Sequence, residues 1–235
     1  MKKSKGKKKF SFFRWLFLYI PLGFVAVTVT WVLMLRWVPV YVTPLMAVRT
    51  CENWGDASFA THKTWEPIEK ISPNLAKAVI ASEDARFFTH NGFDWIEIDK
   101  AIDAHRKGKK LRGASTISQQ TAKNVFLFPG RSWVRKGFEV YFTFLIETLW
   151  GKERILEVYL NVAEMGRGIY GAEAAAEHLF CTRASKLSPH QASLIAACLP
   201  NPLVRKANAP SAGVRKRAAA IRGMMGNNMV VMLTN

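Results

Sequence analysis

Glu83 and Asp84 stand side by side where an apolar stretch ends, and Arg86 and His90 follow within the next six residues. A carboxylate set against Ala81, Phe87 and Phe88 loses hydration, which raises its pKa toward the range of a general base. Taken alone, such an acid pair is better explained as surface acids at a helix C-terminus. A second group, Gly113 to Asn124, crowds Ser115, Thr116, Gln119 and Gln120 onto a helix start beside a basic loop. Free N–H groups and the macrodipole make such a start attractive to anions. Lys123 lies seven residues past Thr116, on roughly the same face, with Asn124 next to it. A capping motif with surface glutamines explains these residues equally well. The third group brings Arg131, Arg135 and Lys136 to Glu139, with Arg135 and Glu139 four apart on one helical face. By itself that is an ordinary intrahelical ion pair. Together the three groups fit a site that activates a hydroxyl and accepts a pyrophosphate.

The elements that must position these groups read as helices. Ser72-Pro73 is an N-cap serine followed by proline at the first helical position. Leu75, Ala78 and Val79 keep helical spacing from there to Glu83. Lys107 to Ala114 is basic and glycine-punctuated, hence a loop, and Ser115 to Val125 forms the next helix. Pro129-Gly130 marks a turn. Trp133 to Trp150 is amphipathic, with Phe138, Phe142, Leu145 and Leu149 on one side, and Gly151 ends it. Further helices are predicted over Lys152 to Glu164 and Gly171 to Phe180, and Ser188-Pro189 opens the last clear core helix. No alternating strand pair and no internal repeat is visible. The fold class is mainly α.

Charge is placed unevenly along the 235 residues, which carry a formal net charge of +17. Met1 to Arg14 holds seven Lys/Arg and no acid. Arg106 to Lys136 holds nine, including Lys109, Lys110 and Arg112, again with no acid. His178 to the end holds eight. Such runs attract phosphate, whether on nucleic acid, lipid headgroups or a pyrophosphate. Between the first run and the rest, Trp15 to Leu35 is uncharged, and a helix of that length spans about 31 Å, close to a bilayer core. No A-x-A pattern follows it, so an uncleaved anchor is expected rather than a signal peptide. The positive-inside rule leaves the Lys-rich tip in the cytoplasm. Val38 to Pro44, with two prolines, reads as extended linker. Three sparse cysteines, Cys51, Cys181 and Cys198, form no zinc pattern. Cys198 reads as core, and pairing of Cys51 with Cys181 is left open.

The three chemical segments resemble successive motifs of the peptidoglycan glycosyltransferases, which occur alone or ahead of a transpeptidase in class A penicillin-binding proteins. The pattern E-D-x-x-F-x-x-H-x-G is met by Glu83, Asp84, Phe87, His90 and Gly92. G-x-S-T-I-x-Q-Q is met from Gly113 to Gln120, and R-K-x-x-E by Arg135, Lys136 and Glu139. Lys152 to Asn161 and Gly168 to Phe180 resemble the fourth and fifth motifs. Phe88 and Ala114 depart from the commoner tyrosine and glycine, at positions that carry none of the chemistry. The resemblance runs from Ile68 to Pro202; with about 33 residues after it, the chain resembles the monofunctional type.

The resemblance implies a lysozyme-like helical domain over 68–235, behind a basic tip (1–14), a transmembrane helix (15–37) and a linker or membrane-proximal segment (38–67). It implies polymerisation of lipid II, with inversion and release of undecaprenyl pyrophosphate. Glu83 is then the general base and Glu139 the second essential carboxylate. Substrate-binding falls to Asp84, Arg86, Ser115, Thr116, Gln119, Gln120, Lys123, Asn124, Arg131, Arg135 and Lys136. Phe126, Leu127 and Phe128 are expected to face lipid. No cofactor is required for certain, and a divalent cation, Mg or Mn, is left open. The expected partners are lipid II, the growing glycan strand and membrane lipid, with cell-wall synthesis or division proteins left open and no nucleic acid. The expected location is the inner membrane, single-pass, with the catalytic domain in the periplasm or exterior. Two other readings remain: a glycan-cleaving enzyme, and a non-enzymatic basic membrane protein that binds nucleic acid or anionic lipid.

Overall fold

Ser72 and Pro73 start a helix as their order predicts. The Ser72 hydroxyl accepts from the Asn74 N–H and donates to the Leu187 carbonyl, at 3.3 and 2.9 Å. The computed structural model describes residues 15–108 and 113–226. The basic tip Met1 to Arg14, and Lys109, Lys110 and Arg112 of the second basic run, lie outside them. The chain divides into two units, Met1–Val38 and Pro39–Asn235.

In the first unit a π-helical turn, Trp15–Tyr19, leads into α1, Ile20–Met34. Phe17, Leu22, Val27 and Met34 are all exposed, so the apolar surface runs around the helix rather than along one stripe. The Thr28 hydroxyl donates to the Phe24 carbonyl at 2.9 Å, so the helix itself satisfies this polar group. Leu16–Met34 is long and apolar enough to cross a membrane.

The second unit is helical: α2 (Pro44–Glu52), α3 (Pro73–Glu83), α4 (Trp95–Arg106), α5 (Ile117–Phe126), α6 (Trp133–Leu149), α7 (Lys152–Val162), α8 (Ala172–Phe180), α9 (Pro189–Cys198) and α10 (Ala212–Met224). Two groups of helices form its core. In one, α9 packs on α3 and α10; in the other, α5 packs on α6 and α7. α3 buries Leu75, Ala76, Ala78, Val79, Ile80 and Ala81. Complete burial of side chains such as Leu75 and Ile80 contributes about 1.5–3 kcal/mol each. That apolar anchorage fixes where the helix ends, at Glu83.

Val38 to Thr43 is without helix, and α2 follows within the segment expected to be linker or membrane-proximal, capped by Thr43 and with Pro44 in its first turn, where proline is tolerated. Three expectations change. Among the described residues there are three short strands. β1 (His62–Lys63) runs parallel to β3 (Ile169–Tyr170), and β2 (Glu164–Gly166) pairs antiparallel on β3's other edge. Glu164, expected in a helix, is therefore in β2. Gly171 makes the turn out of this sheet at φ +83°, where a Cβ would sit 2.6 Å from the Asn161 carbonyl oxygen. A further core helix, α10, follows the one expected to be last; Ser211 caps it, and Val214, Ala218 and Ile221 form its buried face. Phe126 does not face lipid. It is buried, stacked on Phe142 at 4.5 Å between ring centroids, with Trp150 beside it. Leu127 is half-buried and Phe128 exposed. Cys51 and Cys181 are exposed and unbridged, and Cys198 is buried as expected.

Candidate active site

The end of α3, the start of α5 and one face of α10 enclose a cleft of about 420 Å³, lined by Glu83, Arg86, Ser115, Arg217 and Met224 among others. Glu83 is half-buried on its wall. Its Oε2 accepts from Nε2 of Gln120 at 3.0 Å, and its Oε1 lies 4.0 Å from Arg217. Tyr159, from α7, donates its hydroxyl to Oε1 of Gln120 at 3.2 Å. The carboxylate is thus held by neutral and cationic donors, while part of it stays open to the cleft.

Asp84 is used differently from its neighbour. It is buried, accepts from the Ile117 N–H at 3.0 Å and pairs with Nε2 of His90 at 2.9 Å. A carboxylate at the first N–H of α5 also meets the positive end of that helix. Asp84 thereby ties the end of α3 to the start of α5, which sets Gln120 opposite Glu83. Thr116 and Gln119 form a capping box: the Thr116 hydroxyl accepts from the Gln119 N–H at 3.2 Å, and Gln119 Oε1 accepts from the Thr116 N–H at 3.0 Å. The Thr116 hydroxyl also donates to the Gly92 carbonyl at 2.6 Å. Gly92 sits at φ +90°, and a Cβ there would meet Thr143 Cγ2 at 2.9 Å, so the motif glycine is required by both backbone and space. Asp84, Thr116 and Gln119, read from the sequence as substrate contacts, each spend hydrogen bonds on this frame, and Asp84 and Thr116 also line the cleft. Asp84→Asn is expected to lower the unfolding free energy by about 1–3 kcal/mol, because the amide cannot accept from both donors as the carboxylate does. Urea titration checks this, and an unchanged midpoint would count against the strut.

The cations gather on α5 and α6. Glu139 is buried and pairs with Arg135 at 3.1 Å and with Lys136. Lys123 is half-buried on α5. Burial pushes its amine down from the ordinary lysine value, with Glu139 opposing and Arg135 and Lys136 assisting that shift. Because the neutral form is favoured, its charge is lost as pH rises, starting below the ordinary value of 10.5. If that charge serves the reaction, activity falls on the alkaline side and Lys123→Arg moves the fall to higher pH; a pH–rate profile of both proteins checks it. Ser115 is exposed beside the cleft, Arg131 is exposed in the loop before α6, and Asn124 is buried in α5. Arg86 pairs with Asp94 at 3.1 Å, a residue that also caps α4.

Arg217 and Tyr159 touch the Glu83 network without having been singled out from the sequence. Tyr159 sits within the fourth motif, Arg217 in the third basic run; neither signal indicates which carboxylate the side chain approaches.

Among the described residues, Asp84, His90 and Asp94 are the one cluster that offers three metal-ligating atoms close together, within 4.8 Å. The two carboxylates are engaged by protein groups, Asp84 by His90 and Ile117, Asp94 by Arg86 and the Glu97 N–H, while Nδ1 of His90 is buried without a hydrogen-bond partner.

A helical domain whose cleft is lined by Glu83, Asp84, Asp94 and Glu97 together with Arg86 and Arg217 can hold both a proton acceptor and cations for an anionic group. Residues 51–226 match the Transglycosylase family. The chain belongs to this family of lysozyme-like peptidoglycan glycosyltransferases. It is 59% identical over 203 residues to a biosynthetic peptidoglycan transglycosylase of Bacteroides thetaiotaomicron, covering 86% of this chain and 82% of the relative. It is 53% identical over 199 residues to one of Bdellovibrio bacteriovorus, covering 84% and 79%. A third, from Chromohalobacter salexigens, is 52% identical over 209 residues, covering 88% and 89%.

Proposed function

We propose that this enzyme polymerises lipid II into glycan strands, supplying the wall outside the cytoplasmic membrane. The observation that carries this reading is a partly open carboxylate, Glu83, with Arg217 beside it in the cleft and Lys123 of the α5–α6 cation cluster close enough to feel its charge, cations that a neutral sugar alone does not call for. Glu83 takes the proton from the 4-hydroxyl of the acceptor sugar. That oxygen attacks the anomeric carbon of the lipid-linked chain from the face opposite the pyrophosphate. The new C–O bond forms as the bond to pyrophosphate breaks, so configuration inverts and no covalent enzyme intermediate is needed. Undecaprenyl pyrophosphate leaves with the bonding pair. Lys123, Arg131, Arg135 and Arg217 stabilise the charge growing on it; one such preorganised electrostatic contact contributes about 3 kcal/mol. Ser115 and Gln120 position sugar or phosphate, and Glu139 keeps Arg135 and Lys136 ordered.

The apolar helix suits a single-pass anchor. With the Lys-rich tip in the cytoplasm, the catalytic domain lies in the periplasm or exterior, and enzyme and lipid-linked substrate share one bilayer. The family membership and the cation cluster both speak against a strand-cleaving enzyme, which has no pyrophosphate to stabilise. Supplying lipid II and finished glycan separately distinguishes the two. Polymer from lipid II with finished strands left intact is expected; cleavage of finished strands without polymerisation would overturn the proposal.

A further inference from the structure

The phenol of Tyr159, on α7, is almost fully buried. Its hydroxyl donates to one end of the Gln120 amide at 3.2 Å, and the other end of that amide donates to Glu83 at 3.0 Å. An amide has a donor end and an acceptor end of nearly the same shape, so only its hydrogen bonds decide which way it faces. We infer that Tyr159 is a positioning residue for glycosyl transfer: its phenol locks the Gln120 amide with the NH₂ end toward Glu83. The inference rests on the reading of Glu83 as the base.

The lock has a chemical consequence. With the NH₂ end forward, Gln120 donates to one carboxylate oxygen and supports the orientation in which the other can take a proton from the acceptor hydroxyl. With the amide reversed, a carbonyl oxygen faces a carboxylate oxygen, and that support is lost. The phenol suits the role because it keeps its proton. Burial first, then the nearby charges of Glu83 and Asp84, push its pKa well above the ordinary tyrosine value. The other groups facing Glu83 do not depend on the phenol. They are Arg217 from α10, Lys123 from α5, Ser82 on its own helix, and the Asp84–His90 pair that follows it.

The test uses full-length enzyme in liposomes with lipid II as substrate, comparing Tyr159→Phe, Gln120→Leu, the double variant and Glu83→Gln. Tyr159→Phe is expected to lower kcat about tenfold with KM little changed. Its thermal midpoint should stay close to that of the parent. In the Gln120→Leu background there is no amide to orient, so adding Tyr159→Phe should change kcat less than about twofold. A wild-type kcat in Tyr159→Phe, or the same loss in both backgrounds, would overturn the inference and leave Tyr159 a packing residue. Retained activity in Glu83→Gln is a separate result, which would overturn the base itself.

Discussion

Glu83→Gln is expected to reduce polymerisation of lipid II by about 10²–10⁴-fold, the range typical of a positioned general base, while the protein stays folded. The substitution keeps the shape of the side chain. Its amide oxygen can still accept from Gln120 Nε2, and the apolar anchorage of α3 is untouched. What it removes is the ability to take a proton from the acceptor hydroxyl, together with the negative charge facing Arg217 at 4.0 Å. Single-turnover rates with lipid II and a thermal midpoint for each protein check the two halves of this expectation. A variant within about tenfold of the parent would mean that another group is the base.

Glu139→Gln should cost stability as well as activity. The carboxylate is buried, and it holds two cations, Arg135 and Lys136, one turn before it on α6. Removing one partner of a buried pair leaves its charge uncompensated, at about 3–5 kcal/mol. Water relieves part of that here, since the Arg135 and Lys136 side chains are 22% and 40% exposed. A loss of about 2–3 kcal/mol is therefore expected from the urea midpoint. Activity should fall further than partial unfolding explains, because Arg135 and Lys136 would repel Lys123 without Glu139 among them. Neutralising both cations in the Glu139→Gln background should restore stability without restoring activity. Stability unchanged in the single variant would show that Glu139 orders nothing.

Helix starts were legible because they carry their own chemistry. Ser72-Pro73, Ser188-Pro189 and the Thr116/Gln119 box each satisfy free N–H groups with residues a few positions away. The helix α10 carried the same signals, Ser211 followed by Val214, Ala218 and Ile221, but its high density of basic residues drew attention to charge instead of spacing. The strands were not legible, since elements of two or three residues leave no alternation to read. Phe126 looked like part of an exposed apolar run, and only the return of α6 shows that Phe142 covers it. In the site, local motifs marked Glu83, Gln120 and Glu139. They did not separate Asp84, a strut between two helices, from its neighbour. Nor did they reveal Arg217 or Tyr159, whose approach to the Glu83 network depends on helices far apart in the chain.

The most direct test follows both products of one turnover in liposomes: undecaprenyl pyrophosphate released and disaccharide added to the strand. Full-length enzyme is predicted to release the lipid carrier in step with chain growth, with inverted configuration at each new linkage, and Glu83→Gln to do neither at a comparable rate. Carrier release without strand growth would mean that water, not a sugar hydroxyl, is the acceptor, and would contradict the account.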